Sequence, residues 1–517
     1  MAKQPPPAGI DPRSGFCAAT RTFHSLREPV ALPPESLPTT AAAYAFSVLP
    51  SPLPDRPAFI DAATGVTISY PSFLAAVRSL AGGLWSTLGV PGPPGGRRTR
   101  RRAVPVLDFA LMSIGAVVSP ANPASTVEEY AHQAALSKPV VAFAAPDVAA
   151  KLPLHLKCID IGSDEYNRIA SSSGNDPPPV AVKQSDTAAV LYSSGTTGRV
   201  KAVTITHGNL IALLCSAVGR EAIAAAVAGD EPSPPPPMGT LFPLPLFHVF
   251  GFTALLRSVC AGGTAVLMHG RAVRPRRRAA RRRASDEARR RDLSSLLFIS
   301  TGGAPLHREV AERFAAIFPH VQIVQGYGLT EASGAVAWTA GPEECKAYGS
   351  VGKLASHVEA KVVHPATGEA LRPGQRGELW MRGPSIMKGK TGDLCYFDED
   401  GFLFIVDRLK ELIKYKGYQV PPAELEHILL SHPEIVDAAV VPYPDEDVGQ
   451  LPMAFVVRKP SSNITEQQIM GYVAKHVAPY KKVRRLAFIS AIPKSPAGKI
   501  LRRQLVQQAL SMGASKL

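Results

Sequence analysis

The chain has 517 residues, 45% of them hydrophobic, and a formal net charge of +15 from 57 basic and 42 acidic side chains. This length exceeds what one hydrophobic core accommodates, so we expect two or more domains. There is no run of about 18 apolar residues, which excludes a typical transmembrane helix. The six cysteines lack the spacing of a metal or disulfide framework, which is typical of a reduced, intracellular protein.

Two arginine-rich tracts carry nearly all of the excess positive charge. The first spans residues 97–102, and the second, residues 271–292, holds eleven arginines against three acidic side chains. Because the rest of the chain is almost neutral, we do not expect nucleic acid as a partner. The alternative interpretation is that the tracts form a functional basic arm.

The N-terminal residues 1–40 are rich in proline, and we expect them to be extended. From about residue 41 to 404, apolar strand-like runs alternate with helical patterns. Examples are a buried strand over 139–144 and a helix over 209–218. This alternation predicts α/β layers with mostly parallel sheets.

The last part of the chain has a different pattern. A helix over Glu424–Leu430 and a strand over Ile435–Val441 predict a small α+β domain beyond about residue 407.

The most informative motif is Tyr192–Lys201, which follows the apolar run Ala188–Leu191, a predicted buried strand. It combines Ser and Thr hydroxyls, two glycines and a lysine. Glycines let backbone N–H groups approach phosphates, while hydroxyls and a lysine add donors and positive charge. The spacing differs from that of a Walker loop. The motif therefore predicts a polyphosphate site, with a flexible turn as the alternative.

Four further motifs follow in the order Gln325–Glu331, Thr391–Asp393, Asp407–Gly417 and Pro493–Lys499. The five motifs together resemble the adenylate-forming superfamily, which includes acyl-CoA ligases, firefly luciferase and peptide-synthetase adenylation domains. The amino-acid sequences of Lys410–Gln419 and Pro422–Glu426 are most similar to those of the 4-coumarate–CoA ligase-like group of plants. The resemblance covers nearly the whole chain from about Phe16.

The resemblance implies a ligase with two half-reactions. A carboxylate attacks the α-phosphorus of ATP to give an acyl-adenylate and pyrophosphate, and the thiol of coenzyme A then displaces AMP. The implied substrates are ATP with Mg²⁺, coenzyme A and a small carboxylic acid of the hydroxycinnamate, fatty-acid or jasmonate-precursor type. After the Pro-rich segment 1–40, the implied domains in chain order are an AMP-binding and acyl domain over 41–406 and a mobile C-terminal domain over 407–517. Asp407 is the implied hinge.

The resemblance also assigns roles to individual residues. Binding of ATP or AMP is expected from Ser193, Ser194, Gly195, Thr196, Thr197, Lys201, Gln325, Gly326, Thr330, Asp393, Arg408, Lys410, Lys414 and Lys499. Glu331 would coordinate magnesium, and Phe250, Gly303 and Gly326 would line the acyl pocket. Lys499 would stabilise charge at the carboxylate and α-phosphate, with Lys414, Gln419 and His248 as further catalytic residues. Lys416 and Gly417 would meet coenzyme A.

Several of these assignments have a simpler alternative. Glu331 fits a helix N-terminus, His248 fits a satisfied core histidine, and Lys410, Lys414 and Lys416 fit a solvated face. An isolated lysine such as Lys499 is most often a surface charge. The order of the motifs favours the functional interpretation.

The sequence departs from the family pattern in both arginine tracts and after Gly389, where a connecting segment is missing. Within the first motif, Val200 and Ala202 replace the usual proline and glycine. We interpret the larger departures as errors in the gene model, either wrong exon boundaries or out-of-frame reading of GC-rich DNA. The alternatives are a catalytically impaired paralogue or an adenylate-forming enzyme with another acceptor, as in luciferase.

The sequence ends in Ser515-Lys516-Leu517, a tripeptide that a peroxisomal import receptor recognises. We therefore expect a peroxisomal protein.

Overall fold

The computed structural model describes residues 9–88, 103–171, 180–193, 200–216, 239–268, 292–303, 306, 308–387, 389–416, 418–445, 447–495 and 498–514.

Helices and strands alternate in the first half of the chain. Up to residue 171 the order is β1 (Phe16–Cys17), β2 (Thr22–His24), α1 (Ala41–Ser47), β3 (Pro57–Asp61), β4 (Thr67–Ser69), α2 (Tyr70–Leu88), α3 (Ala103–Ser113), α4 (Val127–Ser137), β5 (Ala142–Ala144), α5 (Pro146–Ala149), β6 (Cys158–Asp160) and α6 (Asp164–Ala170). Next come β7 (Thr187–Ser193), β8 (Lys201–Thr206), α7 (207–216), β9 (Gly239–Phe242), α8 (Val249–Cys260) and β10 (Thr264–Leu267).

The second half is richer in strands. Its first part consists of β11 (Phe298–Gly302), α9 (Arg308–Ile317), β12 (Gln322–Leu329), a 3-10 turn (Thr330–Ala332), β13 (Gly334–Trp338), α10 (Gly341–Cys345), β14 (Lys353–Leu354), β15 (Glu359–Val363), β16 (Gly377–Arg382), β17 (Gly389–Phe397) and β18 (Leu403–Arg408). The remainder is β19 (Ile413–Tyr415), β20 (Tyr418–Val420), α11 (Pro422–Ser431), β21 (Ile435–Asp445), β22 (Gly449–Arg458), α12 (Glu466–Ala474), a 3-10 turn (Pro479–Lys481), β23 (Arg485–Phe488) and α13 (Arg502–Ala514).

The α/β class is confirmed, but the expectation of mostly parallel sheets is wrong, because the sheets are mixed. Parallel pairs join β10 to β3 and β9, β11 to β12, β5 to β6, and β22 to β23. The six-stranded sheet, ordered β1-β2-β15-β16-β17-β18, is antiparallel throughout. Consecutive strands of its second half are joined by short turns, and such connections permit only antiparallel pairing.

The N-terminal segment contributes to this sheet rather than remaining only extended. Phe23 pairs with Ala360 and stacks on Phe397 with ring centroids 4.2 Å apart. Arg27 forms an ion pair with Glu344, with 2.6 Å between Nη2 and Oε2. These contacts attach residues 16–27 to the second half of the chain.

The sheet beyond residue 412 has a core of its own. Its strand order is β20-β19-β22-β21, with β23 beside β22. Buried side chains of α11, α12 and these strands form one cluster on one face, and α13 packs with Leu505 and Ala509 against the other. The predicted helix over 424–430 and strand over 435–441 are confirmed within α11 and β21.

Among the described residues, no helix is both long enough and apolar enough to cross a membrane.

Candidate functional site

The phosphate-loop motif is held by a two-stranded hairpin. Ser193 ends β7 and pairs with Lys201, the first residue of β8, so the loop between them leaves and returns at the same point. The buried Tyr192 hydroxyl lies 2.8 Å from the Oγ atoms of Ser119 and Ser137, which fixes this end of β7. Ser194, Gly195, Thr196 and Thr197 lie outside the described residues.

The Thr330–Glu331 pair comes next to this hairpin. Both residues belong to the 3-10 turn that follows β12. Ser193 Oγ donates to Glu331 Oε1 at 3.1 Å, and the Glu331 carboxylate is exposed. The Met387 N–H donates to the Glu331 carbonyl at 3.0 Å and holds the turn in place. Two motifs that lie 138 residues apart thereby meet at one edge.

The predicted acyl residues also converge. Gly302 and Gly326 pair on the parallel strands β11 and β12. A Cβ added to Gly302 would lie 2.9 Å from the Gly326 carbonyl oxygen and 3.7 Å from the Phe250 ring. Gly303 follows directly, with a φ of +79° that favours glycine. A Cβ added to Gly303 would meet no described atom within 4 Å, so the open cleft lies at Gly303, beyond the closely packed pair of Gly302 and Gly326.

Gln325 lies on β12 beside this cleft and is only 3% exposed. Its N–H donates to Thr339 Oγ1 at 3.0 Å. Its side-chain Nε2 has no hydrogen-bond partner within the described part of the chain. A buried amide donor without a partner is costly, and a bound nucleotide or acyl group would supply an acceptor.

Asp393, on β17, is buried between two partners. The Tyr327 hydroxyl donates to its Oδ2 at 2.5 Å, and Arg408 Nε lies 3.4 Å from its Oδ1. Burial raises the pKa of Asp393, while the Tyr327 hydrogen bond and the charges of Arg408 and Lys499 lower it. This carboxylate is therefore oriented on both oxygens.

Lys499 closes a tight turn. The Ser495 N–H donates to the Lys499 carbonyl at 2.7 Å, and the Gly498 N–H donates to the Ser495 carbonyl at 2.8 Å. Gly498 adopts a φ of +84°, which favours glycine at this position.

The ammonium group of Lys499 interacts electrostatically with the Asp393 site. Burial lowers the pKa of Lys499, and the charge of Arg408 lowers it further, whereas Glu411 and Asp393 raise it. Burial also lowers the pKa of His248, and the charge of Lys499 adds to this effect. The charge of Lys499 therefore acts on residues that lie far from it in the sequence.

His248 caps a helix. Its Nδ1 accepts a hydrogen bond from the Phe250 N–H at 3.3 Å, at the start of α8. Because Nδ1 accepts this hydrogen bond it carries no proton, and burial lowers the pKa of the ring.

The remaining predicted lysines lie on the small sheet or in the turn that precedes it. Lys414 is an exposed residue of β19 that pairs with Gln419 on β20, and Lys416 follows at a φ of +47° in the connecting turn. The Lys414 N–H donates to Gln450 Oε1 at 2.8 Å. Lys410 is exposed in the turn after β18, and Gly417 lies outside the described residues.

Glu331 can serve as a single carboxylate ligand of a magnesium ion. The described residues contain no group of three or more His, Cys, Asp or Glu side chains that could hold a metal ion alone. Magnesium is commonly held by one or two carboxylates together with substrate phosphates and water, and one exposed carboxylate beside a hydroxyl-rich loop meets that requirement.

Three residues of this arrangement are absent from the sequence-based assignment. Tyr327 lies inside the second motif, where its position beside Gly326 was a usable signal. Glu411 and Arg502 form an ion pair with 2.6 Å between Oε2 and Nε. No local pattern marks that pair, since its members lie 91 residues apart.

Comparison with known proteins defines the class. A profile of the AMP-binding enzyme family matches residues 50–284 and 277–389, and that of the AMP-binding enzyme C-terminal domain matches residues 424–499. The fold is similar to O-succinylbenzoate–CoA synthetase of Bacillus subtilis, solved with ATP and magnesium ion, at a TM-score of 0.72 and 24% identity. That match covers 89% of this chain and 98% of the other. The architecture is that of an adenylate-forming enzyme.

Two plant sequences narrow the group. The chain is 68% identical to 4-coumarate–CoA ligase-like 5 of Oryza sativa subsp. japonica, over 99% of this chain and 98% of the relative. It is 41% identical to peroxisomal OPC-8:0-CoA ligase 1 of Arabidopsis thaliana, over 98% and 99%. The chain belongs to the AMP-binding enzyme family, in its plant 4-coumarate–CoA ligase-like group, and is an ATP-dependent, AMP-forming acid–CoA ligase.

Two of the three departures from the family pattern coincide with limits of these matches, whereas the first arginine tract lies within a matched segment. The two profile segments meet within the second arginine tract, and the later one ends at residue 389. The alignment to the rice relative runs over 540 positions, more than the 517 residues of this chain, so the relative carries residues that this chain lacks.

Proposed function

We propose that this ligase activates a hydroxycinnamate, a fatty acid or a jasmonate-precursor acid in a site built around Asp393, Arg408 and Lys499. The observation that carries the proposal is the buried Asp393 carboxylate, which Tyr327 contacts at 2.5 Å and Arg408 at 3.4 Å and on which the charge of Lys499 also acts. A lysine in this position stabilises the charge that develops on the carboxylate and α-phosphate during adenylate formation.

We assign the nucleotide to the region beside Asp393, where Tyr327 of β12 contacts β17. Asp393 accepts hydrogen bonds from the ribose hydroxyls, with Arg408 beside it, and Gln325 and Gly326 line the junction of adenine and acyl group. Ser193 to Thr197 and Lys201 hold the β- and γ-phosphates, and Thr330 contacts the α-phosphate. Glu331 coordinates Mg²⁺, which neutralises phosphate charge when bound.

The acyl group lies against Phe250, Gly303 and Gly326. A neutral His248 at the start of α8 gates this cleft without adding charge beside the incoming carboxylate. Gly303 leaves open space for the acyl group, and the Phe250 ring lies 3.7 Å from the position of a Cβ on the adjacent Gly302.

We propose that the chain divides into a Pro-rich segment (1–40), an AMP-binding and acyl domain (41–406) and a C-terminal domain (407–517) that rotates about Asp407. Lys499 serves adenylate formation in this proposal, and Lys410 faces the adenylate. Lys410, Lys414 and Lys416 are exposed in the present arrangement. Rotation would bring Lys416 and Gly417 to coenzyme A, with Lys414 and Gln419 acting in adenylation or in thioester formation.

A peroxisomal location is proposed from Ser515-Lys516-Leu517, which lies outside the described residues, and from the relative named as peroxisomal. Import of the full chain fused behind a fluorescent protein tests this proposal. Removal of Leu517 should leave the fusion in the cytosol, whereas unchanged import would contradict the proposed signal.

A catalytically impaired paralogue is the second candidate. It is favoured by the break of the profile match within the second arginine tract and its end at residue 389. An acceptor other than coenzyme A is the remaining alternative for the second half-reaction.

The test is acid-dependent exchange of labelled pyrophosphate into ATP, over a panel of hydroxycinnamic, fatty and jasmonate-precursor acids. Lys499→Ala should lower exchange by about 100- to 1000-fold, while the exposed Lys475→Ala control should not. Exchange with one acid class names the substrate. No exchange from the folded wild-type protein with any acid would support the impaired paralogue.

A further inference from the structure

Arg502, the first residue of α13, bridges two carboxylates in the C-terminal part. Its Nε donates to Glu411 Oε2 at 2.6 Å, and its Nη2 donates to Glu426 Oε2 at 3.0 Å. Its Nη1 also donates hydrogen bonds to Glu426 Oε1 and to the Val440 carbonyl oxygen. The Arg502 side chain is 16% exposed, so this network is largely shielded from water.

The network connects two segments that the proposed reaction uses. Arg502 follows Lys499 by three residues, and Glu411 follows Arg408 by three. The contacts of Arg502 with Glu411 and Glu426 span 91 and 76 residues. They therefore fix the Lys499 turn relative to the chain that leaves β18.

Glu411 is also a potential competitor for Lys499. Its negative charge acts on Lys499 in the same direction as that of Asp393. In the described part of the chain, Lys499 nevertheless has no ion-pair partner within 4.0 Å, whereas Glu411 is paired with Arg502. An unpaired Glu411 would attract the Lys499 ammonium, because opposite charges in a partly buried site interact strongly.

We infer that Arg502 is a positioning residue for adenylation: it anchors the Lys499 turn through Glu411 and Glu426, and keeps Glu411 from capturing the Lys499 ammonium. This inference rests on the role proposed for Lys499. Arg502 itself touches neither substrate nor nucleotide in this scheme, so its removal should affect the half-reaction that uses Lys499.

The experiment compares two half-reactions in the full-length protein. The first is pyrophosphate exchange with the acid that wild type uses, and the second is thioester formation from supplied acyl-adenylate and coenzyme A. The variants are Arg502→Lys, which cannot bridge both carboxylates, Glu411→Gln, and their combination. Arg503→Lys, the exposed neighbour on the same helix, is the matched control.

Arg502→Lys should lower exchange by about 10- to 100-fold, the effect of a small displacement of a catalytic group, and leave thioester formation near the wild-type rate. Adding Glu411→Gln should restore most of the lost exchange, since the competing charge is then gone. A residue needed only for folding would show neither the split between half-reactions nor the rescue.

Equal loss in both half-reactions, no rescue by Glu411→Gln, or behaviour like that of Arg503→Lys would overturn the inference while the proposed function stands. Absence of exchange in wild type would overturn both. If thermal melting shows that Arg502→Lys does not fold, Arg502→Met with Glu426→Met replaces the buried pair by apolar groups, and is assayed with and without Glu411→Gln.

Discussion

At the scale of single residues, the site is organised around one buried carboxylate. Asp393 pairs with Arg408 across neighbouring strands, and Tyr327 holds its second oxygen from β12. A buried carboxylate is costly unless it is hydrogen-bonded or paired, and both conditions are met here. The same contacts orient its oxygens toward the proposed ribose.

Tyr327→Phe is the first prediction. The substitution removes the hydroxyl that donates to Asp393 at 2.5 Å and keeps the buried ring. Because hydrogen bonds to charged groups contribute about 1.5–3 kcal/mol, we expect the KM for ATP to rise by roughly tenfold or more. Steady-state kinetics with ATP as the varied substrate measures it.

Tyr396→Phe is the matched control for this prediction. Tyr396 lies on the same strand as Asp393, and its ring stacks on Phe404 with centroids 4.8 Å apart, a contact that phenylalanine preserves. An equal KM for ATP in wild type and Tyr327→Phe would show that the hydroxyl does not orient Asp393 for nucleotide binding.

At the scale of elements, the motif Gln325–Glu331 depends on a close approach between the antiparallel strands β12 and β13. The register between β12 and β13 shifts between Tyr327 and Gly328. A Cβ on Gly328 would lie 2.1 Å from the Gly334 carbonyl oxygen, a contact that the backbone cannot accept. This close approach determines the positions of Tyr327 and of the 3-10 turn that follows.

Gly328→Ala should therefore destabilise the protein, by about 3 kcal/mol or more, because the added methyl group forces the two strands apart. Gly471→Ala is the matched control, since Gly471 lies in α12 with no atom within 4 Å of an added Cβ. That control should stabilise by about 0.5–1 kcal/mol. Thermal melting should shift in opposite directions for the two variants, and shifts of the same sign would refute the argument.

Sequence patterns located the elements but not all of their partners. The strands β7 and β12 and the helix α11 are predictable from local apolar runs and from the residues that bound them. The pairing of Phe23 with Ala360 joins residues more than 300 positions apart, and no periodicity encodes which strand lies beside which. For the same reason the mixed character of the sheets was missed.

The candidate site divides in the same way. Residues with a chemical signature in a short motif, such as Lys499 and Asp393, were identifiable from the sequence. Arg502 was not, because it reads as one more charged residue at a helix start. Its partners Glu411 and Glu426 become evident only when the fold brings them together.

At the scale of the whole molecule, the C-terminal part is attached at Asp407. Its carboxylate accepts from the Arg408 N–H at 2.7 Å and from the Ala423 N–H, near the start of α11, at 2.9 Å. Burial raises the pKa of Asp407 to about 6, although both hydrogen bonds lower it. This residue thus ties the last strand of the six-stranded sheet to the first helix of the small sheet.

A second contact between the two parts is more exposed. Glu309 of α9 and His427 of α11 lie 2.9 Å apart, measured from Oε1 to Nε2. If the C-terminal part rotates between half-reactions, this pair exists only in the arrangement that places Lys499 at the nucleotide. It should then favour adenylation over thioester formation.

Glu309→Ala tests this coupling. Exposed ion pairs contribute at most about 1 kcal/mol, so pyrophosphate exchange should fall by no more than about fivefold. Thioester formation from supplied acyl-adenylate should be unchanged or faster, because the competing arrangement is no longer stabilised. Glu312→Ala is the matched control, since Glu312 pairs with Arg308 within α9, 3.9 Å away. An equal fall in both half-reactions would mean that the Glu309–His427 contact supports the fold in general and does not distinguish the two arrangements.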